Sequence, residues 1–203
     1  MTDGTDDTVA GSGRAGRRST HAERRERRAQ IEDPTAVLEA AGRFLEPRAR
    51  SVSEVRRRLT SAGYRADLVE GVLVRLLDLG ILDDTAFAQA WVDSRDRVRP
   101  RGERAMRQEL AMKGVDREIV DLLLSDRRDA AAQPDADGFV TSADEVAAAR
   151  LMARHSRSLA RVPDPRQRRQ RAYALLARNG FAPDVCRAVA ARIDEGNISS
   201  EED

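Results

Sequence analysis

The stretch SVSEVRRRLTSAGYRADLVEGVLVRLLDLGILDD, residues 51–84, decides the fold. It predicts two short helices separated by a glycine, followed by the start of a third helix. Ser51 and Glu54 form a capping box, in which each side chain accepts the other residue's main-chain amide proton. Gly63 stands where a helix end turns left-handed, which costs least for glycine. Apolar residues at helical spacing predict one buried face per helix: Val52, Val55 and Leu59, then Val69, Val72, Leu73, Leu76 and Leu77.

The composition favours small helical cores over one large globule. Of the 203 residues, 40% are hydrophobic but only 3% are aromatic, so the cores depend on Leu, Val and Ala. No stretch approaches the roughly 18 apolar residues of a membrane span, and no apolar signal segment follows Met1. The single cysteine, Cys186, occupies an apolar position and cannot form an internal disulfide, which fits a reducing compartment. We therefore expect a cytoplasmic protein.

The net charge of +1 conceals an uneven distribution. Residues 1–33 contain 7 arginines and 7 acidic residues, and residues 194–203 contain 5 acidic residues and no base. Residues 34–193 therefore hold 29 basic and 23 acidic residues, and every base except Lys113 is arginine. Arginine binds phosphate and carboxylate through paired hydrogen bonds, so this region suits an anionic partner. An arginine-rich genome composition would produce the same bias.

The composition also divides the chain into six segments. Residues 1–33 have almost no apolar side chains and predict a disordered, arginine-rich tail, although HAERRERR (21–28) is also compatible with a helical extension. Proline, glycine, alanine and acids without a period predict a flexible linker at 127–141. Helical repeats are predicted at 34–80, 81–126 and 142–193, and an acidic tail at 194–203.

Three segments share one frame: a leucine, three further residues, a glycine and an apolar residue. The glycines are 51 and 66 residues apart, and the longer interval contains the predicted linker. Repeats of this length indicate tandem helical modules, each packing on itself and on its neighbour. We therefore predict an all-α fold of three tandem three-helix repeats. The frame residues are Leu59, Gly63 and Tyr64; Leu110, Gly114 and Val115; and Leu176, Gly180 and Phe181.

This pattern resembles the RecX family of bacterial recombination regulators. The resemblance rests on RSVSEVRRRLTSAGY (50–64), VLVRLLDLGILDDTAFAQAWV (72–92) and RPRGERAMRQELAMKGV (99–115), above all on GILDD-x-x-FA within the second. It covers residues 38–124 well and the third repeat less well, and it excludes the first 30 residues. It implies an elongated, curved array of helix-turn-helix-like repeats that lies in the groove of the RecA–DNA filament. It further implies inhibition of recombinase and ATPase activity, shortened filaments, no cofactor and no catalysis.

Basic residues cluster on or before the middle helix of each repeat. Such clusters would bind DNA phosphates in a salt-dependent way, or acidic patches on RecA. The alternative for each cluster is a solvated helix face that pairs locally with Glu54, Glu103 or Glu109. The candidate DNA- or RecA-binding residues are Arg56, Arg57, Arg58, Arg65, Arg99, Arg101, Arg104, Arg107, Lys113, Arg166, Arg168, Arg169 and Arg171.

The sequence predicts no catalytic, metal or cofactor site. Asp83 and Asp84 precede a helix and are interpreted as caps rather than as metal ligands. Trp91 and Phe87 could stack on bases, but they fall on the predicted core stripe. His155 has no partner at zinc-ligand spacing. No glycine-rich phosphate loop, nucleophile elbow or acid–base pair is visible.

Repeat, arginine faces and family resemblance together predict a regulatory monomer rather than an enzyme. Its expected partners are the RecA filament and single- and double-stranded DNA, with no membrane, in DNA repair and the SOS response. The alternative is a sequence-independent DNA-binding or transcription factor built from helix-turn-helix-like units. That alternative requires tight duplex binding without RecA and little effect on the RecA ATPase.

Overall fold

Helices account for all regular secondary structure in the described part of the chain. The structure is a computed structural model and describes residues 20–131 and 141–193. Within these ranges it has ten α-helices and no strand, which confirms the predicted all-α class. The helices are α1 (His21–Ala29), α2 (Pro34–Leu45), α3 (Val52–Ala62), α4 (Ala66–Asp78), α5 (Asp84–Arg97), α6 (Glu103–Lys113), α7 (Arg117–Ala131), α8 (Ala143–Ala160), α9 (Pro165–Arg178) and α10 (Pro183–Ala191).

Helices α2–α10 form three consecutive three-helix repeats. Repeat one is α2–α4, repeat two is α5–α7 and repeat three is α8–α10, and each has its own hydrophobic core. The frame leucines of the middle helices, Leu59, Leu110 and Leu176, lie in these three cores and are at most 1% exposed. Separate cores in sequence order are the signature of a tandem array, so the predicted repeat architecture is confirmed.

Local signals set the helix starts as predicted. Ser51 and Glu54 form the predicted capping box on α3, and Ser142 and Glu145, which have the same spacing in the sequence and predict a second box, form it on α8. The pairs Asp33-Pro34 and Asp164-Pro165 likewise predict helix starts, and Asp33 and Asp164 cap α2 and α9 with proline at the first helical position.

The start of α4 differs from the prediction. In the sequence, Asp67 is the residue that predicts a cap for this helix, but Arg65 is the N-cap residue and makes no capping hydrogen bond through its side chain. Asp67 lies inside the first turn and accepts hydrogen bonds from the Arg65 guanidinium at 3.1 and 2.6 Å. The carboxylate still stabilises the positive end of the helix, through its charge rather than by capping.

Two helices extend into segments whose composition predicts disorder. The residues 1–33 predicted as a tail include α1, whose start is a capping box between Thr20 and Glu23. The predicted linker 127–141 begins inside α7, which continues to Ala131. In both places, charged side chains outnumber apolar ones, and the helices are held by polar contacts to the neighbouring repeat that composition does not reveal.

Core predictions near the repeat ends divide between burial and exposure. The apolar pair Ile81 and Leu82 in a tight connection predicts two core residues, but only Leu82 is buried, in the core of repeat one, and Ile81 is 56% exposed. Leu77, predicted on the buried face of its helix, is 45% exposed. Cys186 is buried in the core of repeat three, as predicted, and burial raises the pKa of its thiol. No helix in the described ranges is both long and apolar enough to cross a membrane.

Candidate functional site

The repeats meet at joints, each formed by the start of one middle helix and the following repeat. At the first joint, the Ser51 hydroxyl donates a 2.6 Å hydrogen bond to the main-chain carbonyl of Lys113. The Val52 amide, at the first helical position of α3, donates to Asp84 Oδ1 at 2.9 Å. Repeat two therefore supplies both an acceptor for the N-cap side chain and a cap for the helix amide of repeat one.

The second joint repeats this arrangement, with hydrogen-bond donors that lie 51 residues later in the chain. The Gly102 amide, at the N-cap of α6, donates to the Asn179 carbonyl at 3.0 Å. The Glu103 amide donates to Asp144 Oδ2 at 3.1 Å. Gly102 is equivalent to Ser51, and Asn179, like Lys113, immediately precedes the frame glycine of its repeat. The two joints thus have the same construction.

The frame glycines allow the close approach of neighbouring repeats. A Cβ atom added at Gly114 would overlap Ser53 of repeat one, and one added at Gly180 would overlap Ala105 of repeat two. Both glycines also have positive φ, 75° and 85°, which L side chains rarely adopt. The frame glycine therefore ends the middle helix and leaves room for the preceding repeat to pack closely against it.

Helix α1 contacts repeat one as though it were the end of a preceding repeat. Arg28 donates to the Ala62 carbonyl at 3.3 Å, the position equivalent to the Lys113 carbonyl. Arg25 lies against Gly63, where an added Cβ would overlap it. The Arg28 guanidinium also lies 5.7 Å from the centre of the Tyr64 ring. Helix α1 therefore covers the joint face that repeat one would otherwise expose.

A half-buried ion pair reinforces the first joint. Lys113 Nζ is 2.7 Å from Glu54 Oε1, and these side chains are 22% and 12% exposed. Burial raises the pKa of Glu54, but hydrogen bonds from Lys113 and the Ser51 amide, with the charges of Lys113 and Arg48, outweigh it and leave that pKa lowered. The folded joint therefore holds Glu54 as a carboxylate.

Trp91 lies at the edge of the repeat-two core among charged side chains. Its indole N–H donates to Glu109 Oε2 at 2.8 Å, and Arg95 Nε donates to the same oxygen at 2.6 Å. The Arg95 guanidinium and Lys113 Nζ lie 4.4 and 4.9 Å from the indole centre. Trp91 is thus packed against the core, as predicted, while its N–H binds a carboxylate and its ring face contacts two cations near the first joint.

Arg127 is the main ionic contact of the second joint, and the sequence did not single it out. It is 8% exposed and binds Asp96 through two hydrogen bonds of 2.9 Å and Asp144 through one of 2.7 Å. Burial lowers the pKa of Arg127, but the two carboxylates outweigh it and leave the pKa raised. Arg150 and Arg154 of α8 add hydrogen bonds to main-chain carbonyls at the end of α5. Repeats two and three are therefore joined by an ion pair and by hydrogen bonds from charged side chains, as well as by main-chain hydrogen bonds.

Two of the predicted binding arginines form equivalent ion pairs within their repeats. Arg56 of α3 binds Glu70 of α4 through two hydrogen bonds of 2.7 and 2.9 Å. Arg107 of α6 binds Asp121 of α7, and both members are 51 residues from the first pair. The hydrogen bonds to Glu70 raise the pKa of Arg56. These two arginines connect the middle and final helices of their repeats.

The structure gives five further candidates specific contacts. Lys113 and Arg65 pair with carboxylates, and Arg101 contacts Glu109 and the Asn179 side chain. Arg57 donates to the Met112 carbonyl at 3.4 Å, and Arg58 lies 5.7 Å from the centre of the Phe44 ring. Many of the basic side chains that the sequence assigned to DNA or RecA therefore make contacts within the chain.

Four candidates are exposed and have no carboxylate partner among the described residues. They lie before or on the middle helices of repeats two and three, and we call them the free-arginine set. Arg168 and Arg169, in the same region of repeat three, make other contacts within the chain. The free-arginine set consists of Arg99, Arg104, Arg166 and Arg171.

Over the two described ranges, no three His, Cys, Asp or Glu side chains are grouped so that they could hold a metal ion. Asp83 accepts hydrogen bonds from the Thr85 and Ala86 amides and caps α5. Asp84 caps α3 across the joint. The interpretation of this pair as caps is confirmed, and the two carboxylates serve different helices.

Sequence models of one family match the first two repeats. The model for RecX, first three-helix domain, matches residues 38–76, and that for RecX, second three-helix domain, matches residues 83–124. Regulatory protein RecX of Mycobacterium avium (strain 104) is 32% identical over 152 residues, which cover 74% of this chain and 81% of the relative. The chain belongs to the RecX family.

Other RecX proteins match different shares of the chain. Regulatory protein RecX of Mycobacterium sp. (strain KMS) is 44% identical over 93 residues, or 46% of this chain, and the match spans half the length of that relative, 50%. The crystal structure of RecX from Lactobacillus salivarius superposes with a TM-score of 0.64 at 18% identity, over 80% of this chain and 97% of that one. At that identity the likeness concerns the fold alone, and it extends the RecX fold beyond the two matched domains.

Proposed function

We propose that this RecX-family protein regulates a RecA–DNA filament by lying along its groove and inhibiting recombinase and ATPase activity. Family membership is the observation that carries the proposal, because regulatory RecX proteins are the relatives that match most of the chain. The tandem array supports it, since repeats joined in one way can follow the regular surface of a helical filament.

In this proposal the joints and the arginines have separate tasks. The joints hold the repeats at defined orientations through main-chain hydrogen bonds and the Arg127 ion pairs. The free-arginine set faces the partner, where guanidinium groups bind phosphates of DNA or carboxylates of RecA. The protein acts by occupying the groove, and it carries out no chemical step.

A titration of RecA bound to single-stranded DNA tests the proposal. We expect the ATPase rate and strand exchange to fall as the protein is added. No change in either rate at a severalfold excess over RecA would refute regulation. Tight binding to duplex DNA without RecA, together with an unaltered ATPase, would instead support a sequence-independent DNA-binding protein.

The same titration with a charge variant tests the surface. Replacing Arg104 and Arg171 with glutamate should weaken inhibition, because both side chains are exposed and lack a carboxylate partner among the described residues. Arg75→Glu combined with Arg187→Glu, at exposed positions on the final helices of repeats one and three, is the matched control because it makes the same change in net charge. Equal loss in the control would show that the effect comes from net charge alone.

A further inference from the structure

A cavity of 510 Å³ lies between α1 and repeat one. Helix α1 forms one wall, and helices α2 and α3 form the others. The cavity lies outside both matched RecX domains on its α1 side, since the first of these begins at residue 38. Cavities of this volume accommodate small ligands or part of a flexible chain. We call it the α1 cavity.

Positive side chains from three helices line the α1 cavity. Arg24 and Arg28 come from α1, Arg43 from α2 and Arg58 from α3, and His21 stands at the edge. No carboxylate is among the described residues that line it. Arg24 makes another contact within the chain, and Arg43 forms an exposed pair with Glu39 at 3.6 Å. Because like charges repel, the guanidinium groups of Arg28, Arg43 and Arg58 around one cavity are further stabilised by an anion placed between them. The cavity is therefore suited to a negatively charged ligand.

Aromatic rings orient two of these arginines. Arg58 and the neighbouring Arg50 lie 5.7 and 4.2 Å from the centre of the Phe44 ring, and Arg28 lies 5.7 Å from that of Tyr64. Stacking on an aromatic ring limits the rotation of a guanidinium while its N–H groups stay available for hydrogen bonds. Ligand binding therefore causes a smaller loss of side-chain conformational entropy, because these arginines are already partly ordered in the free protein.

Helix α1 depends on its contacts with repeat one. It has nine residues, none of them buried, and isolated helices shorter than about 12 residues are marginal in water. The contacts that hold it on repeat one include the Arg28 hydrogen bond and ring contact and the packing of Arg25 on Gly63. A ligand that bridges Arg28 of α1 and Arg43 of α2 would therefore stabilise α1 in place.

We propose that the α1 cavity binds a phosphate group, and that this binding holds α1 on repeat one. Arginine forks match the oxygens of phosphate, and a terminal or free phosphate also carries more charge than a carboxylate does. A nucleic-acid backbone, a phosphorylated strand end and a free phosphate ion each supply such a group. The proposal stands apart from recombinase regulation, because its test needs no RecA.

Hydrogen–deuterium exchange of the full chain tests the proposal, with the amides of residues 20–31 as the readout. The probes are inorganic phosphate and oligothymidylates with and without a 5′-phosphate, each compared with sodium chloride of equal ionic strength. At a ligand concentration ten times the Kd, exchange in α1 should slow about tenfold, because bound ligand reduces the detached population by that factor. Arg43→Ala should abolish this protection, whereas Arg75→Ala, at an exposed position of the same repeat, should retain it.

The outcomes separate the possible ligands. Protection by both oligonucleotides assigns the cavity to the phosphodiester backbone, and protection only by the 5′-phosphorylated strand or by inorganic phosphate assigns it to a terminal or free phosphate. Equal protection by polyglutamate would overturn the proposal in favour of an acidic protein segment. Unchanged exchange with every probe, or full protection in Arg43→Ala, would also overturn it. Circular dichroism of Arg43→Ala checks that the exposed substitution leaves the fold intact.

Discussion

Asp84, the first residue of α5, accepts a 2.9 Å hydrogen bond from the main-chain amide of Val52, the first residue of α3. One carboxylate thus caps a helix of the preceding repeat. Burial raises the pKa of Asp84, and the charges of Asp83 and Glu54 raise it further. The Asp84 carboxylate therefore stabilises the joint through its hydrogen bond to the Val52 amide, while burial of its negative charge is destabilising.

Substitutions of Asp84 should separate these two effects. Asp84→Ala should lower the free energy of unfolding by about 1 kcal/mol, because the Val52 amide loses its acceptor. Asp84→Asn keeps an acceptor without the charge, so it should cost less than Asp84→Ala at pH 7. Since the folded pKa is raised, the wild-type contribution should improve as the pH falls toward the unfolded pKa. Urea unfolding at pH 7 and at about pH 4, near the unfolded value, measures both variants, and a larger loss in Asp84→Asn would contradict the assignment.

Alanine at the joint glycines should be strongly destabilising. Gly114→Ala and Gly180→Ala each add a Cβ at positive φ, at a cost of about 1–2 kcal/mol, and each adds overlap with the preceding repeat. Gly180→Ala should be the worse, because its Cβ meets main-chain atoms of Ala105. Gly42→Ala is the matched control: it lies within α2 with open space around its Cβ, and should stabilise by about 0.5–1 kcal/mol. Thermal unfolding of the three variants gives the ranking.

Acid should weaken the first joint through Glu54. The pKa of Glu54 is lowered in the folded protein, so its contribution is present above the unfolded value and is lost as the pH falls through the folded pKa. Glu54→Gln should cost about 1.5 kcal/mol at pH 7, and the difference from wild type should shrink below about pH 4. Glu39→Gln, which alters an exposed pair with Arg43, should change stability little at any pH. A constant difference between Glu54→Gln and wild type from pH 7 to pH 3 would contradict this.

Removal of Arg127 should destabilise the second joint more than removal of its neighbour Arg128. Arg127→Met leaves Asp96 and Asp144 without their partner, at 27% and 14% exposure, and should cost about 3 kcal/mol. Arg128→Met removes a 55% exposed arginine from Glu103 and should cost less than about 1 kcal/mol. Denaturant unfolding compares them, and equal losses would mean that Arg127 does not secure repeat three.

The free-arginine set should govern salt dependence if it contacts DNA. Each substitution of Arg99, Arg104, Arg166 or Arg171 by alanine should reduce the slope of log K against log salt by about 0.7 on single-stranded DNA. The measurement is fluorescence anisotropy of a labelled oligonucleotide from 50 to 300 mM salt, in the range where screening acts on exposed charges. Arg75→Ala should leave the slope unchanged, and an unchanged slope in all four variants would assign these residues to a protein contact instead.

The helices and repeats could be predicted because their signals are local. The capping boxes at Ser51 and Ser142 lie within four residues of sequence, and the glycine frame recurs at a visible interval. The joints could not be predicted, because Ser51 and the Lys113 carbonyl are 62 residues apart and a main-chain acceptor has no sequence signature. Arg127 was missed for the same reason: its carboxylates lie in α5 and α8.

The sequence shows where the basic residues of the candidate site lie, but not which of them pair with carboxylates of the same chain. Arg56 and Arg107 stand in matching positions, which suggested a shared binding face, yet each is paired with a carboxylate of its own final helix. Sequence spacing cannot show which of several nearby acids a side chain meets once helices pack. Helix α1 could not be predicted to pack on repeat one, because it has no apolar stripe. It is held there by contacts to the Ala62 carbonyl and to Gly63, which have no sequence signature.

The joint between repeats has a consequence for how such proteins change over evolution. Its parts are a helix start, a carbonyl, a glycine and one aspartate, and none of them belongs to the core of either repeat. A gene duplication that copied one whole repeat would recreate both joints without disturbing packing inside any unit. The length of the array, and with it the distance spanned along a partner, could therefore grow or shrink in steps of one repeat.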